Sequence, residues 1–178
     1  MPNYRRMLVE GGTWFFTVNL ANRGSSLLVN QIDALKAAIE GTQRRFPFKV
    51  DALVVLPDHL HTIWTLPEGD SDFSVRWAQI KIRFSKSRPD AETRSASRMK
   101  RGERGIWQRR FWEHMIRDER DFNDHVDYCR IDPVKHGLVP RAIDWPHSTI
   151  HRDYLPELAN VDLGRALALH AERFGDRP

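Results

Sequence analysis

The chain has 178 residues, with 28 Lys and Arg against 24 Asp and Glu, a formal net charge of +4 and a pI near 9.5. An apolar share of 40% with 10% aromatics excludes a disordered tail and suits one domain with a real core. The single cysteine, Cys129, excludes an internal disulfide and a cysteine-based zinc module, and apolar runs such as Ala52 to Leu56 are too short to span a bilayer. No apolar signal core follows Met1-Pro2-Asn3-Tyr4-Arg5-Arg6, so a soluble protein of a reducing compartment, the cytoplasm, is expected.

Thr13 to Leu20 is β-branched and aromatic and follows Gly11-Gly12, so it predicts a strand. Asn30 to Arg45 carries Ile32, Leu35 and Ile39 at helical spacing. Phe48 to Leu56 returns to strand character. Pro57-Asp58 breaks it, and His59 to Leu66 predicts the second strand of a hairpin. Phe73 to Ser87 places Phe73, Trp77, Ile80 and Phe84 on one helical face. Ser87 to Gly105 is polar and basic and predicts a loop, and Ile106 to Ile116 predicts a further strand or hairpin. Asp118 has the character of an N-cap for a helix running toward Asp132, which Pro133 is expected to limit. Pro140 to Pro156 reads as irregular, and Val161 to Phe174 as a short final helix. Strands and helices in this order suit the α+β class, a mainly antiparallel central sheet flanked by helices. Neither a GxxxxGK[ST] nor a GxGxxG motif is present, so nothing points to nucleoside-triphosphate or dinucleotide binding.

The charge is unevenly placed. From Arg76 to Arg110 twelve basic residues face three acidic ones, a local excess of nine, and the rest of the chain sums to −5. A polyanion is therefore drawn to one part of the surface, unless these cations merely solvate a helix and a loop.

Two short motifs carry chemistry. In His59-Leu60-His61 both imidazoles point to one side of a strand and Leu60 to the other. The triplet alone is unspecific, but two imidazoles on a rigid strand can hold one divalent ion and leave positions open. In the predicted helix after Asp118, Tyr128 and Asp132 stand four apart and share a face, while Phe122, Val126 and Cys129 form a separate apolar face. Two imidazoles and a carboxylate make a three-ligand site for Mg²⁺ or Mn²⁺ with Tyr128 beside it as a phenolic nucleophile.

With these motifs the sequence resembles the single-tyrosine HUH nucleases, and more closely the REP-associated tyrosine transposases. The resemblance runs through Asn3-Tyr4-Arg5-Arg6, Gly11 to Val18, His59-Leu60-His61, Trp107 to His114, Ile116 to Glu119, Tyr128, Pro133-Val134-Lys135, Gly137-Leu138-Val139 and Asp144-Trp145-Pro146. It implies a ferredoxin-like nuclease domain over 1–140 and a C-terminal extension over 141–178 packed on it. It implies metal-dependent transesterification of single-stranded DNA at REP-type hairpins, through a 5′-phosphotyrosine on Tyr128 with release of a 3′-OH. The metal, Mg²⁺ or Mn²⁺, falls to His59, His61 and Asp132. Asp132 departs from the family's usual Asn, and His136 from a usual small residue. His114 and His125 are expected to be structural or to touch DNA.

For DNA binding the expected residues are Tyr4, Arg5, Arg6, Lys81, Arg83, Lys86, Arg109, Arg110, Trp112, Lys135 and Arg152. Two rival readings share these residues. One is a non-cleaving hairpin-binding regulator on the same fold. The other is a metal-dependent hydrolase with Asp58 as its water-activating base. Whether the protein is a monomer or a homodimer stays open, as does association with the nucleoid when DNA is bound.

Overall fold

The structure, a computed structural model, describes residues 8–87 and 105–152. The opening motif at Tyr4, Arg5 and Arg6, most of the basic segment between Ser87 and Gly105, and the final helix expected over Val161 to Phe174 lie outside them.

Four strands form one antiparallel sheet: β1 (Thr13–Asn19), β2 (Lys49–Val55), β3 (His59–Thr65) and β4 (Trp112–Met115), in the spatial order β2-β3-β1-β4. The register sets Thr17 opposite His61 on one side and Trp112 on the other, and Phe15 opposite Ile63 and His114. Directly opposed residues share a sheet face, so His61, Thr17 and Trp112 form one row and Ile63, Phe15 and His114 the next. The alternate set points the other way. A register shift between Val50 and Ala52 lets β2 present Val50, Leu53 and Val55 to that second face while Ala52 and Val54 stay on the first.

The second face carries the larger core. Trp14, Phe16, Val18, Leu60 and Trp64 from the sheet meet α2 (Ile32–Gln43) and α3 (Phe73–Lys86) through Leu35, Ile39, Phe73, Trp77, Ile80 and Phe84. Trp64 and Trp77 stack with centroids 4.2 Å apart. Such a pair adds about 0.5–1.5 kcal/mol beyond its buried area. The predicted helix from Asn30 begins earlier and is interrupted, because α1 (Leu27–Asn30) precedes α2 and Gln31 separates them. The predicted strand over Ile106 to Ile116 shortens to β4, joined upstream by one bridge between Leu20 and Trp107. Trp107 is itself taken up by this core, edge-on to Phe84.

The first face is covered by α4 (Glu119–Lys135), whose Phe122, Val126, Tyr128 and Cys129 pack on Phe15, Ala52, Val54 and Ile63. Asp118 caps α4 through its side chain, which accepts from the Asp121 N–H at 2.8 Å. Pro133 does not limit α4 as expected. The helix runs through it to Lys135, two residues past the proline, which itself donates no N–H to the Cys129 carbonyl. Gly137 at φ +67° takes the left-handed position, with Gly137 N–H on the Val134 carbonyl and Leu138 N–H on the Pro133 carbonyl, both at 2.9 Å. That is a Schellman ending, and it makes His136 the C-cap. Residues 141–152 form two 3₁₀ turns along the β2 edge. They bond it through Val55 N–H to the His147 carbonyl and the Trp145 indole N–H to the Val55 carbonyl, each at 2.9 Å. No helix among the described residues is long and apolar enough to cross a membrane.

Candidate active site

β3 places His59 and His61 on the α4 face of the sheet, and one turn of α4 places Tyr128 and Asp132 opposite them. The Tyr128 hydroxyl lies 3.3 Å from His61 Nε2. Asp132 Oδ2 lies 3.3 Å from His61 Nε2 and 3.6 Å from His59 Nε2. Both imidazoles are nearly buried and Asp132 is fully so, whereas Tyr128 is half-buried.

Each imidazole is oriented from behind. His59 Nδ1 lies 2.6 Å from Asp58 Oδ1. A carboxylate only accepts, so Nδ1 carries a proton, and Nε2 is the ring nitrogen that faces Asp132. His61 Nδ1 pairs with the Thr17 hydroxyl at 2.9 Å, one strand across in register. Phe15 fixes the remaining angles: its ring stacks on His61 at 5.6 Å and meets the Tyr128 ring edge-on at 5.6 Å. Asp58 also pairs with Arg23 Nε at 3.3 Å, so both its oxygens are engaged. That engagement argues against Asp58 as a free water-activating base.

The electrostatics fit a cation. Burial pushes the Asp132 carboxyl toward higher pKa, but His61, His59 and His136 outweigh it and hold it well below the ordinary carboxylate range. Burial lowers His61 despite the pull of Asp132, which favours the neutral, ligating imidazole. Both Asp132 oxygens are buried and accept no well-formed hydrogen bond. A buried carboxylate in that state is costly unless a cation completes it. The residues present therefore suit a divalent ion at His59, His61 and Asp132.

His136 was missed as a member of this group. Its Nε2 lies 3.5 Å from Asp132 Oδ1, and its ring is 5.1 Å from that of His59. The ligand atoms of His59, Asp132 and His136 all fall within 4.8 Å of one another. The spacing Asp132 to His136, one helical turn, was the available signal.

His114 and His125 form a second group around Asp121. His114 Nε2 lies 2.9 Å from Asp121 Oδ2, which also accepts from the Arg117 N–H at 3.0 Å. His125 Nδ1 donates to the Asp121 carbonyl at 2.7 Å, and the two imidazoles stack at 4.7 Å. Burial raises the Asp121 pKa, but His114 and Arg117 more than reverse this and bring it down to about 2. The group ties β4 to the first turn of α4, behind Phe15.

The expected DNA contacts do not gather in one place. Arg83 and Lys86 are exposed on α3, and Lys81 Nζ donates to the Gln108 carbonyl at 2.9 Å, so these three stand on the helix covering the opposite face. Arg76, counted in the basic stretch, is buried and chelated by Asp70 at 2.7 and 3.1 Å, and contributes no free surface charge. Arg109 and Arg110 are exposed just before β4. Trp112 stands 47% exposed in the row of His61 and Thr17. Lys135 ends α4 beside His136, and Arg152 reaches back to the Val50 and Asp51 carbonyls at 3.2 and 2.7 Å.

No family model matches the chain. It is 51% identical over 162 residues to a REP-associated tyrosine transposase of Escherichia coli (strain K12), covering 91% of this chain and 90% of that protein. It is 42% identical over 165 residues to a protein named for the same family in Haemophilus influenzae, covering 92% and 94%. A solved structure of a REP-associated tyrosine transposase bound to a REP hairpin superposes with a TM-score of 0.75 at 52% identity, over 86% of this chain and 85% of that one.

Proposed function

The chain belongs to the family of REP-associated tyrosine transposases, and from that premise we propose that it cuts and rejoins single-stranded DNA beside REP-type hairpins through Tyr128. The observation that carries this reading is the Tyr128 hydroxyl 3.3 Å from His61, at the mouth of a His59, His61 and Asp132 cluster.

Tyr128 Oη attacks the scissile phosphorus. A bond forms between Oη and the 5′ phosphate, the bond from phosphorus to the 3′ oxygen breaks, and that oxygen leaves as a 3′-OH. The phenol gives up one proton and the 3′ oxygen takes one, so neither water nor a nucleotide cofactor is consumed. Reversal by the same or another 3′-OH rejoins strands. An unassisted phenol has a pKa of about 10, so it needs help at neutral pH. His59, His61 and Asp132 would hold a divalent ion, of which Mg²⁺ and Mn²⁺ are the first to test, and such an ion would supply positive charge to polarise the phosphate. Thr17, Asp58 and Phe15 keep the imidazoles and the phenol aimed at one point. Arg109, Arg110, Lys135 and Trp112, together with Tyr4, Arg5 and Arg6, are the DNA contacts of this reading.

The test is a labelled REP-type hairpin with single-stranded flanks, incubated with Mg²⁺ or Mn²⁺ and resolved on a denaturing gel. A protein–DNA adduct that disappears in Tyr128→Phe, with hairpin binding retained, supports the reading. Cleavage that survives Tyr128→Phe assigns the nucleophile to water. Tight hairpin binding with no cleavage by the unaltered protein makes it a regulator.

A further inference from the structure

We infer that His136 is a fourth protein ligand of the same centre, and that its imidazole tunes the site toward a later first-row divalent ion such as Co²⁺ over Mg²⁺. The inference rests on a divalent ion binding at His59, His61 and Asp132, as in the function proposed above.

Three independent features place His136 there. Its Nε2 faces Asp132 Oδ1 at 3.5 Å, while His61 and His59 face the other oxygen, Oδ2, at 3.3 and 3.6 Å. The carboxylate is thus flanked by imidazoles on both sides. The backbone at His136 is fixed by the Schellman ending, in which the His136 N–H also bonds the Asp132 carbonyl at 3.0 Å. A cap locked by three backbone hydrogen bonds holds its side chain far better than a frayed helix end. Finally, the ring approaches that of His59 to 5.1 Å although the side chain is 40% exposed and could point to water instead. Two imidazoles so close, beside a buried carboxylate whose oxygens lack hydrogen bonds, are what a shared cation accounts for.

Donor chemistry gives the consequence. Mg²⁺ is a hard ion that prefers oxygen and retains water, so a third imidazole adds little to its binding. Later first-row ions accept imidazole readily and rise in affinity along the series. A set of three nitrogens and one carboxylate therefore discriminates between the two classes, and removing His136 narrows the difference.

The experiment measures metal binding to the full chain without DNA. Co²⁺ is titrated into the metal-free protein while its visible ligand-field absorption is followed, and Mg²⁺ is measured by competition. His136→Gln is expected to weaken Co²⁺ by roughly 10-fold or more and to shift the absorption bands, with Mg²⁺ binding little changed. His151→Gln is expected to leave both affinities unaltered, since His151 bonds the Trp145 carbonyl in the C-terminal segment. Metal-free His136→Gln should unfold at the temperature of the unaltered protein, which separates ligation from folding. Equal Co²⁺ affinity and an unchanged spectrum in His136→Gln overturn the inference, as does Mg²⁺ binding more tightly than Co²⁺ to the unaltered protein. Tyr128→Phe keeps the full Co²⁺ affinity, so loss of the DNA adduct and loss of the fourth ligand are read separately.

Discussion

The two faces of the sheet are made from alternate residues of the same strands, yet their contents differ in kind. Toward α2 and α3 the strands send Trp14, Phe16, Val18, Leu60 and Trp64 into a continuous aromatic and aliphatic core. Toward α4 they send Thr17, His59 and His61, with Phe15 and Ile63 as a smaller apolar footing. The first face supplies cohesion and the second spends some of it on buried polar groups, most of all Asp132. A single strand such as β3 serves both because its side chains alternate: Leu60 and Trp64 anchor it while His59 and His61 are presented from a strand paired on both sides.

Substitutions on the two faces should therefore separate chemistry from stability. The largest expected effect is on the α4 face: His61→Ala should lower adduct formation by roughly 10³-fold while hairpin affinity persists. Gel-resolved adduct and filter-bound hairpin, measured on the same sample, check this. Parallel loss of both would mean that the site face also carries the affinity. On the opposite face Trp77→Ala should cost about 3–5 kcal/mol of stability. Its adduct yield per folded molecule should stay unchanged, as denaturant unfolding alongside the cleavage assay will show.

Asp121 offers a pH test of the joint between β4 and α4. Its folded pKa is depressed from 3.8 to about 2, so its contribution is complete above the unfolded value and fades as pH falls through the folded one. The shift corresponds to about 2 kcal/mol. Asp121→Asn should lower the unfolding temperature clearly at pH 7 and progressively less toward pH 2. A gap that is constant with pH would show that the Asp121 charge is not what holds the joint. The smallest effect is expected from Arg83→Gln with Lys86→Gln. These cations lie on the helix away from the site, so hairpin affinity and its salt dependence should change little beside Arg109→Gln with Arg110→Gln. The reverse ranking would put the DNA across α3.

Much of this organisation was legible along the chain. The His59-Leu60-His61 alternation and the four-residue step from Tyr128 to Asp132 are local patterns, and strand and helix periods turn them directly into shared faces. The family resemblance was equally visible, and the similarity to known REP-associated tyrosine transposases agrees with it. Other features were not legible because they depend on distant partners. Arg76 looked like surface charge, but Asp70 and the Pro47 carbonyl draw it inside. Trp107 lies two residues from the exposed Arg109 in the chain, yet its ring is taken up by the core. Pro133 looked like a terminator, yet the helix continues through it and ends at the turn around Gly137.

What the sequence determined by itself is which residues could act: the paired imidazoles, the phenol and the carboxylate, each with its local geometry set by the two-residue and four-residue repeats of strand and helix. What only the tertiary structure decided is which of them meet. The packing of α4 over the sheet brings Tyr128 and Asp132 to the two imidazoles and draws in His136, while the pairing of β1 with β3 sets Thr17 against His61. The meetings of Tyr128 and of Thr17 with His61 join residues 67 and 44 positions apart, and a contact of that kind is fixed by how whole elements dock on a shared core, which no local pattern of residues encodes.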